Sequence, residues 1–289
     1  MKYYCTLSDK NYLGRGKALL QSLQETCTEA FTLYYLCMDA ETYTSVKDLD
    51  CVEAVPISEL EEDPDFNILK KNTNYIPNSH ECTYCFALGS YFTEYVVRKY
   101  RLPDILYIDA DIVFYQDPKL VFEATEGKSV GIILHRHVPL GHHVGGYNVG
   151  IVYFKNDKVG YACLKWWRDC VMDPSNEWFD KYGAVGDQVY LEGFAPLFGE
   201  ENVAVLDEHI GHGAPWNLSL YEYEGHDIIW NGKKQKLVFI HFSHFTPDFK
   251  NNTYSRDRSG EWNCVLNNPN PFIIKYYDNY FERLKDVER

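Results

Sequence analysis

Short apolar runs alternate with stripes of helical period along the first third of the chain. Tyr3 to Leu7, Phe31 to Cys37 and Val52 to Ile57 are strand-length runs rich in aromatic and β-branched residues. Between the first two, Leu13, Leu19, Leu20 and Leu23 recur at helical spacing behind Ser8 or Asp9, either of which can cap a helix. Thr42 to Leu49 reads as a second, shorter helix. Strand, helix, strand, helix, strand predicts the opening of a doubly wound α/β sheet. Ligands of such sheets bind beyond the carboxyl ends of the strands. Thr6, Leu7, Ser8 and Asp9 are therefore expected at the mouth of a site.

Leu60 to Ser79 is acidic and polar, with Pro64 and Pro77, and is expected to be a surface connection with a little helix. Glu81 to Tyr100 predicts a long helix with Tyr84, Leu88, Tyr91, Phe92, Tyr95 and Val96 on one face. That stripe reads as core rather than as a ligand box. Asp117-Pro118 opens a short helix, Val130 to Leu134 is a strand, and Asn156 to Met172 is a helix carrying Trp166 and Trp167. Gly186 to Leu191 starts another helix, Val203 to Leu206 is a strand, and the glycine-rich His209 to Leu218 holds one exposed-looking Trp216. Leu237 to Phe245 is a strand running into His241 and His244. Pro247 to Arg289 turns polar and then aromatic, an appendage expected to pack on the domain before it.

The chemistry concentrates in Ile105-Leu-Tyr-Ile-Asp-Ala-Asp-Ile-Val-Phe114. Asp109 and Asp111 sit between apolar runs, where carboxylates are costly to bury without a positive partner. In extended chain, residues two apart point to the same side, so both acids can converge on one cation. Ala110 between them leaves room for a ligand. An all-oxygen site shared with phosphates suits Mg²⁺ or Mn²⁺. The competing reading is a solvated acidic turn, which would carry Gly, Asn or Ser rather than these flanks.

Charge and cysteine usage narrow the classes. The chain has 289 residues, enough for one large α/β domain or two small ones, and a formal charge of −14. That balance argues against nucleic-acid binding, which needs clustered Lys and Arg. It also makes an acidic small-molecule substrate depend on a local metal ion. No apolar run is long enough for a signal peptide or transmembrane segment, and Pro271 to Arg289 balances four acidic against four basic residues, unlike a membrane anchor. Nine cysteines, an odd number, favour reduced thiols and a cytoplasmic location, with a peripheral place on the inner membrane face as the alternative. Cys82 and Cys85 have CxxC spacing, but no second pair completes a zinc site, and they read as helix-face cysteines. No Gly-x-Gly-x-x-Gly follows the first strand and no P-loop lysine motif occurs; Gly14-Arg15-Gly16 is too short and too far into the helix to count.

Three further stretches carry polar groups. His135-Arg136-His137 and Gly141-His142-His143 lie in a glycine-rich loop that reads as mobile and close to substrate, with direct metal ligation by the histidines as the other reading. Gly145 to Phe154 combines close backbone approach with Asn148, which offers both a donor and an acceptor. Asp187 and Gln188 open a helix, where Asp187 is either a site carboxylate or a plain N-cap. His241 ends an apolar strand expected to be buried in the parallel sheet, whose carboxyl end opens onto the ligand side, and is either a third metal ligand or a core histidine. His244, three residues on in extended chain, is expected to face away from it.

In order, the Asp109/Asp111 stretch with Gln-Asp-Pro after it, Tyr-Asn-Val-Gly-Ile-Val-Tyr-Phe154, Asp187-Gln188, Ala-Pro-Trp-Asn-Leu218 and Phe-Ile-His-Phe-Ser243 resemble the GT-A-type glycosyltransferases. The nearest resemblance is to bacterial surface-glycan transferases related to glycosyltransferase family 8. It implies a GT-A-type single α/β domain over residues 1–247, a mixed, mostly parallel sheet flanked by helices, with residues 248–289 appended. It implies a nucleotide-sugar donor, usually a UDP-sugar, a glycan or lipid-linked glycan acceptor, and Mn²⁺ or Mg²⁺. By the same resemblance Asp109, Asp111 and His241 are metal ligands, and Asn148, Asp187 and Gln188 face the donor sugar. Thr6, Leu7 and Ser8, with Ala110, take the nucleotide side. The family typically follows its metal-binding His with Gly and Lys-Pro-Trp, the Lys reaching the diphosphate. Here Ser243-His-Phe-Thr-Pro-Asp-Phe-Lys250 follows instead, so no phosphate-binding lysine is assigned. Two other readings compete. A nucleotidyltransferase would carry a Gly-rich basic loop, only partly imitated by Thr6 to Lys17. A non-catalytic carbohydrate-binding protein would not need Asp109, Asp111 and His241 together.

Overall fold

The computed structural model describes residues 1–73, 83–136, 145–173, 177–178, 186–256 and 270–287. Glu81 at the expected helix start, Cys82, Gly141, His137, His142 and His143 lie outside the described residues. The first three expected strands are present as β1 (Lys2–Ser8), β2 (Phe31–Cys37) and β3 (Val52–Pro56), separated by α1 (Leu13–Thr26) and α2 (Ala40–Val46). Asp9 does not cap α1 directly; its carboxylate accepts from Asn11 N and Tyr12 N in a turn ahead of the helix, at 3.0 and 3.1 Å.

The 61–73 connection is more structured than its polarity predicts. It follows α3 (Ile57–Leu60) and contains α4 (Phe66–Asn72). Leu60, Phe66 and Leu69 are fully buried, because a few apolar anchors suffice to dock a polar segment. Next come α5 (Thr83–Tyr100), β4 (Asp104–Ile108), β5 (Ile112–Phe114), α6 (Lys119–Ala124), β6 (Val130–Leu134), β7 (Tyr147–Lys155), α7 (Lys158–Met172) and β8 (Val203–Val205).

The main sheet has seven strands in the order β3-β2-β1-β4-β7-β6-β8. From β3 to β4 the neighbours are parallel, β7 is antiparallel to β4 and β6, and β8 is parallel to β6. The mixed, mostly parallel sheet is thus as expected. Both of its faces are covered, which explains the nearly continuous apolar strands. Ile105 and Tyr107 face a core built with α5 and α7, while Leu106 and Ile108 face a core built with α1 and α6.

The strand ending at His241 belongs elsewhere than expected. A second sheet runs β10 (Glu222–Glu224), β11 (Asp227–Trp230), β12 (Lys233–His241) and then β5, with β9 (Gly211–Gly213) also on β12. β12 is antiparallel to β5, in register Phe239 to Phe114, Ile240 to Val113 and His241 to Ile112. An apolar run alone does not say which sheet it joins, and β12 finds the edge that β5 exposes as it leaves the main sheet. A third core forms between this sheet and the C-terminal helix Pro271–Val287. Tyr280 of that helix stacks on Phe242 at 3.9 Å between ring centroids. The small hairpin of β13 (Thr246–Asp248) and β14 (Thr253–Ser255) lies between them in sequence.

The junction of the two sheets is held by a buried ion pair. Arg136 donates to the Asp207 carboxylate and carbonyl and to Gln235 Oε1, and its guanidinium lies 3.9 Å from the Trp230 ring centroid. Asp207 also accepts from Leu134 N at 2.6 Å. His135 and Arg136 were expected in a mobile loop; both are buried, because this joint consumes their polar groups. Trp216, expected exposed, is likewise buried, with its indole N–H donating to His135 O at 2.8 Å. Removing one partner of a buried pair leaves an uncompensated charge. Asp207→Ala is therefore expected to cost about 3–5 kcal/mol in urea unfolding; a loss under about 1 kcal/mol would mean that water replaces the carboxylate.

Candidate active site

Asp109, Ala110 and Asp111 occupy the point where the chain passes from β4 to β5. The segment is a tight turn rather than extended chain: Ile112 N donates to Asp109 O at 3.2 Å. The two carboxylates nonetheless converge, and His241 meets them from the facing strand. Ligand atoms of Asp109, Asp111 and His241 all lie within 4.8 Å of one another. His241 Nε2 is 3.1 Å from Asp111 Oδ1 and 3.7 Å from Asp109 Oδ2. The turn is pinned by Asp109 N donating to Gly150 O and Phe242 N donating to Asp111 O, both at 2.9 Å.

The charges are set by burial and by one another. Burial raises the Asp109 carboxyl and Asp111 adds to the rise, outweighing His241 and the Tyr107 hydroxyl. Burial also acts upward on Asp111, but the His241 imidazole, with Arg15 helping, holds it below the ordinary range. Burial works against the His241 proton, yet the two carboxylates raise that group overall. A proton on Nε2 thus serves one buried and one half-buried acid, and a divalent ion at this place would compete with it. Two carboxylates and one imidazole are a donor set that could hold a divalent ion.

The imidazole is oriented from behind. Asn148 Oδ1 accepts from His241 Nδ1 at 3.3 Å and from Gly150 N at 3.0 Å. Asn148 Nδ2 donates to Gln188 Oε1 at 3.0 Å, and Gln188 Oε1 also accepts from Val149 N. An amide oxygen only accepts, so Nδ1 carries a proton in either charge state and Nε2 is the nitrogen turned to the carboxylates, protonated unless an ion takes that proton's place. The structure therefore brings Asn148 and Gln188 together with the cluster, Asn148 directly and Gln188 through it.

Asp187 is buried at the head of the 3-10 turn Gln188–Gly193, a tighter element than the α-helix expected there. Its side chain makes no capping hydrogen bond, which removes the plain N-cap reading. Burial, with Asp109 adding to it, pushes its carboxyl up to about 8. Thr6 is fully buried and Ser8 gives its hydroxyl to a 2.7 Å contact with the Tyr35 hydroxyl, while Leu7 is half-buried. The groups that face outward beyond β1 are instead Lys10, Asn11 and Tyr12. Two neighbours of the cluster escaped the sequence reading. Tyr107 donates to Asp109 Oδ1 at 2.7 Å, which its place two residues before Asp109 could have signalled. Trp216 sets its edge against His241 at 5.5 Å, a contact between distant segments with no local signal.

No protein-family model matches the chain. It is 30% identical over 261 residues to the uncharacterized protein YfnF of Bacillus subtilis (strain 168), covering 83% of the chain and 80% of YfnF. The chain belongs to the YfnF family. Among solved structures, this YfnF-family chain is similar to an active-site mutant of LgtC, with a TM-score of 0.57 at 13% identity, over 92% of the chain and 95% of LgtC. It is also similar to mouse xyloside xylosyltransferase 1 in its apo form, with a TM-score of 0.51 at 15% identity, over 73% of the chain and 87% of that protein. The architecture is the GT-A-type glycosyltransferase fold.

Two outcomes follow from this geometry. A side-chain carbon at Gly150 would sit 2.7 Å from both Asn148 Oδ1 and His241 Nδ1. Gly150→Ala should break that contact and weaken Mn²⁺ binding by about tenfold in a calorimetric titration, the usual scale for losing a ligand-orienting partner; unchanged affinity would show that Asn148 does not orient the imidazole. The second concerns Asp187. Its raised group contributes stability that is complete below the ordinary carboxylate range and is lost as pH rises through about 8. Asp187→Asn should therefore gain on the parent chain from pH 5 to pH 9, on the order of a few kcal/mol. Parallel stability curves for the two proteins would refute burial of an ionisable Asp187.

Proposed function

We propose that the chain is a metal-dependent glycosyltransferase that moves a sugar from a nucleotide-diphosphate donor, UDP-linked, to a glycan or lipid-linked glycan acceptor in surface polysaccharide synthesis. The observation that carries this reading is the convergence of Asp109, Asp111 and His241 at the carboxyl end of a central strand of a GT-A-type fold. The order of motifs supports kinship with family 8, from which the turn after His241 departs. No helix among the described residues is long and apolar enough to cross a membrane. Cys5, Cys27, Cys37, Cys51 and Cys163 are thiols outside any disulfide, which supports a cytoplasmic setting.

In this reading Asp109, Asp111 and His241 hold Mn²⁺ or Mg²⁺, which when bound supplies positive charge against a departing diphosphate. Ala110, backed by Gly150, leaves room for the donor to approach the turn. Thr6, Leu7 and Ser8 shape the end of β1 on the nucleotide side from within. Asn148 and Gln188 fix the imidazole and present their remaining amide capacity toward the sugar. Asp187, protonated near neutral pH by burial, donates a hydrogen bond to a sugar hydroxyl. A base role on the acceptor side, which inversion would need, requires it to lose that proton. The anomeric configuration of the product, read by NMR, separates these roles.

The nucleotidyltransferase alternative loses its support, since Gly14, Arg15 and Gly16 lie inside α1 and form no phosphate-cradling loop. Asp111→Asn should reduce transfer by at least about a hundredfold, the scale of losing metal charge stabilisation, with the fold intact. His241→Ala should raise the Mn²⁺ requirement steeply. His244→Ala should do so much less, because His244 lies beyond the end of β12 at φ +61° and outside the ligand cluster. Equal Mn²⁺ dependence of the parent and His241→Ala in a donor-hydrolysis assay would remove His241 from the metal site.

A further inference from the structure

One half-buried cation beside the ligand cluster makes no ion pair among the described residues, although its guanidinium lies 4.2 Å from the Tyr12 ring centroid. Arg15 lies in the first turn of α1. Its neighbour Gly16 is buried, and a side-chain carbon there would collide with the Tyr35 hydroxyl at 1.8 Å, so α1 presses against β2 at this point. Further along, Ala18 shares the third core with Val113, and the Ser22 hydroxyl accepts from Phe114 N at 3.1 Å. The helix therefore runs beside β5, with Ser22 at Phe114, Ala18 at Val113 and Arg15 next in line toward Asp111. Arg15 Nη2 donates to Phe245 O at 2.8 Å and Nη1 donates to Asn11 O at 3.2 Å. Phe245 N donates to Phe242 O, and Phe242 N to Asp111 O. Arg15 is thus tied to the tight turn that begins immediately after His241, and its charge bears on Asp111.

Its place beside the cluster sets it apart. Arg98, Arg136, Arg168 and Arg283 each make an ion pair with a carboxylate. Arg15, like Arg101 and Arg256, makes none among the described residues, but Arg15 is tied to the turn that follows His241, in a chain with 42 acidic and 28 basic residues. A metal ion at the cluster would set a second positive charge beside this one, and the two repel unless an anion spans them. The planar guanidinium fork suits phosphate oxygens. The turn after His241, Phe242-Ser-His-Phe245, offers no lysine for that task.

We propose that Arg15 is the protein's own cation for the donor diphosphate, taking the phosphate oxygens that a metal at Asp109, Asp111 and His241 leaves uncovered. This rests on the metal-dependent reading above and adds to it the residue that grips the anion. The test uses the full chain, titrated calorimetrically with Mn²⁺ alone and then, in saturating Mn²⁺, with inorganic pyrophosphate and with UDP. Arg15→Ala is expected to bind Mn²⁺ alone as tightly as the parent or more tightly, since a nearby positive charge is gone. It should bind pyrophosphate and UDP about 10- to 100-fold more weakly, the scale of a lost charged hydrogen bond. Arg15→Lys should recover part of that loss. Losses that are equal for Mn²⁺ alone and for pyrophosphate would overturn the proposal in favour of a structural role in holding Phe245. Unchanged pyrophosphate and UDP binding would overturn it too, leaving the metal site standing. A parent chain that binds neither Mn²⁺ nor Mn²⁺ with pyrophosphate would instead remove the metal-dependent reading, and this proposal with it.

Discussion

The antiparallel pairing of β12 with β5 is the contact on which the site depends. β4 delivers Asp109 from the main sheet, the turn delivers Asp111, and β5 then leaves that sheet with a free edge. β12 takes this edge and sets His241 opposite Ile112, beside the two acids. Two carboxylates set this close, one buried and one half-buried, repel each other and lose hydration. A positive partner, whether the His241 proton or a divalent ion, is what makes the arrangement tenable. A strand pairing between two sheets thus becomes an electrostatic requirement.

The surroundings refine that requirement into directed chemistry. The chain Gln188–Asn148–His241 fixes which imidazole nitrogen faces the acids, and Tyr107 satisfies Asp109 from the opposite side. Gly150 gives up its side chain so that Asn148 and His241 can meet. Asp187 has no such partner for its charge and stays neutral over a range where an exposed aspartate would not. Neighbouring carboxylates therefore divide into charged and neutral roles by their surroundings alone.

More distant elements matter by keeping the sheets in place. Arg136 and Asp207 lock the end of β6 to the second sheet, and Trp216 bridges His135 to the edge of His241. The tyrosine face of the C-terminal helix closes over Phe242 and Phe245, the residues just beyond His241. A shift in that helix would reach the site through the same turn that holds Arg15.

The alternation of apolar runs and helical stripes determined the α/β class, the order of β1 to β4 and the site of Asp109 and Asp111. Those features follow from local periodicity and from the cost of placing acids among apolar residues. His241 was named as a candidate third ligand by resemblance and by its place at a strand end, and the structure sets it beside the two acids, but from the second sheet rather than the main one, since an apolar run carries no record of its partner. Trp216, His135 and Arg136 were misread for a related reason: glycine-rich, polar sequence looks exposed until segments far apart in the chain satisfy its hydrogen bonds. Arg15 was passed over because a lone Gly-Arg-Gly inside a helix has no local meaning. Its meaning, like the tautomer of His241 and the neutral state of Asp187, was decided only when tertiary packing set which charges share a dehydrated space, because electrostatic coupling depends on distance in the fold and not on separation along the chain.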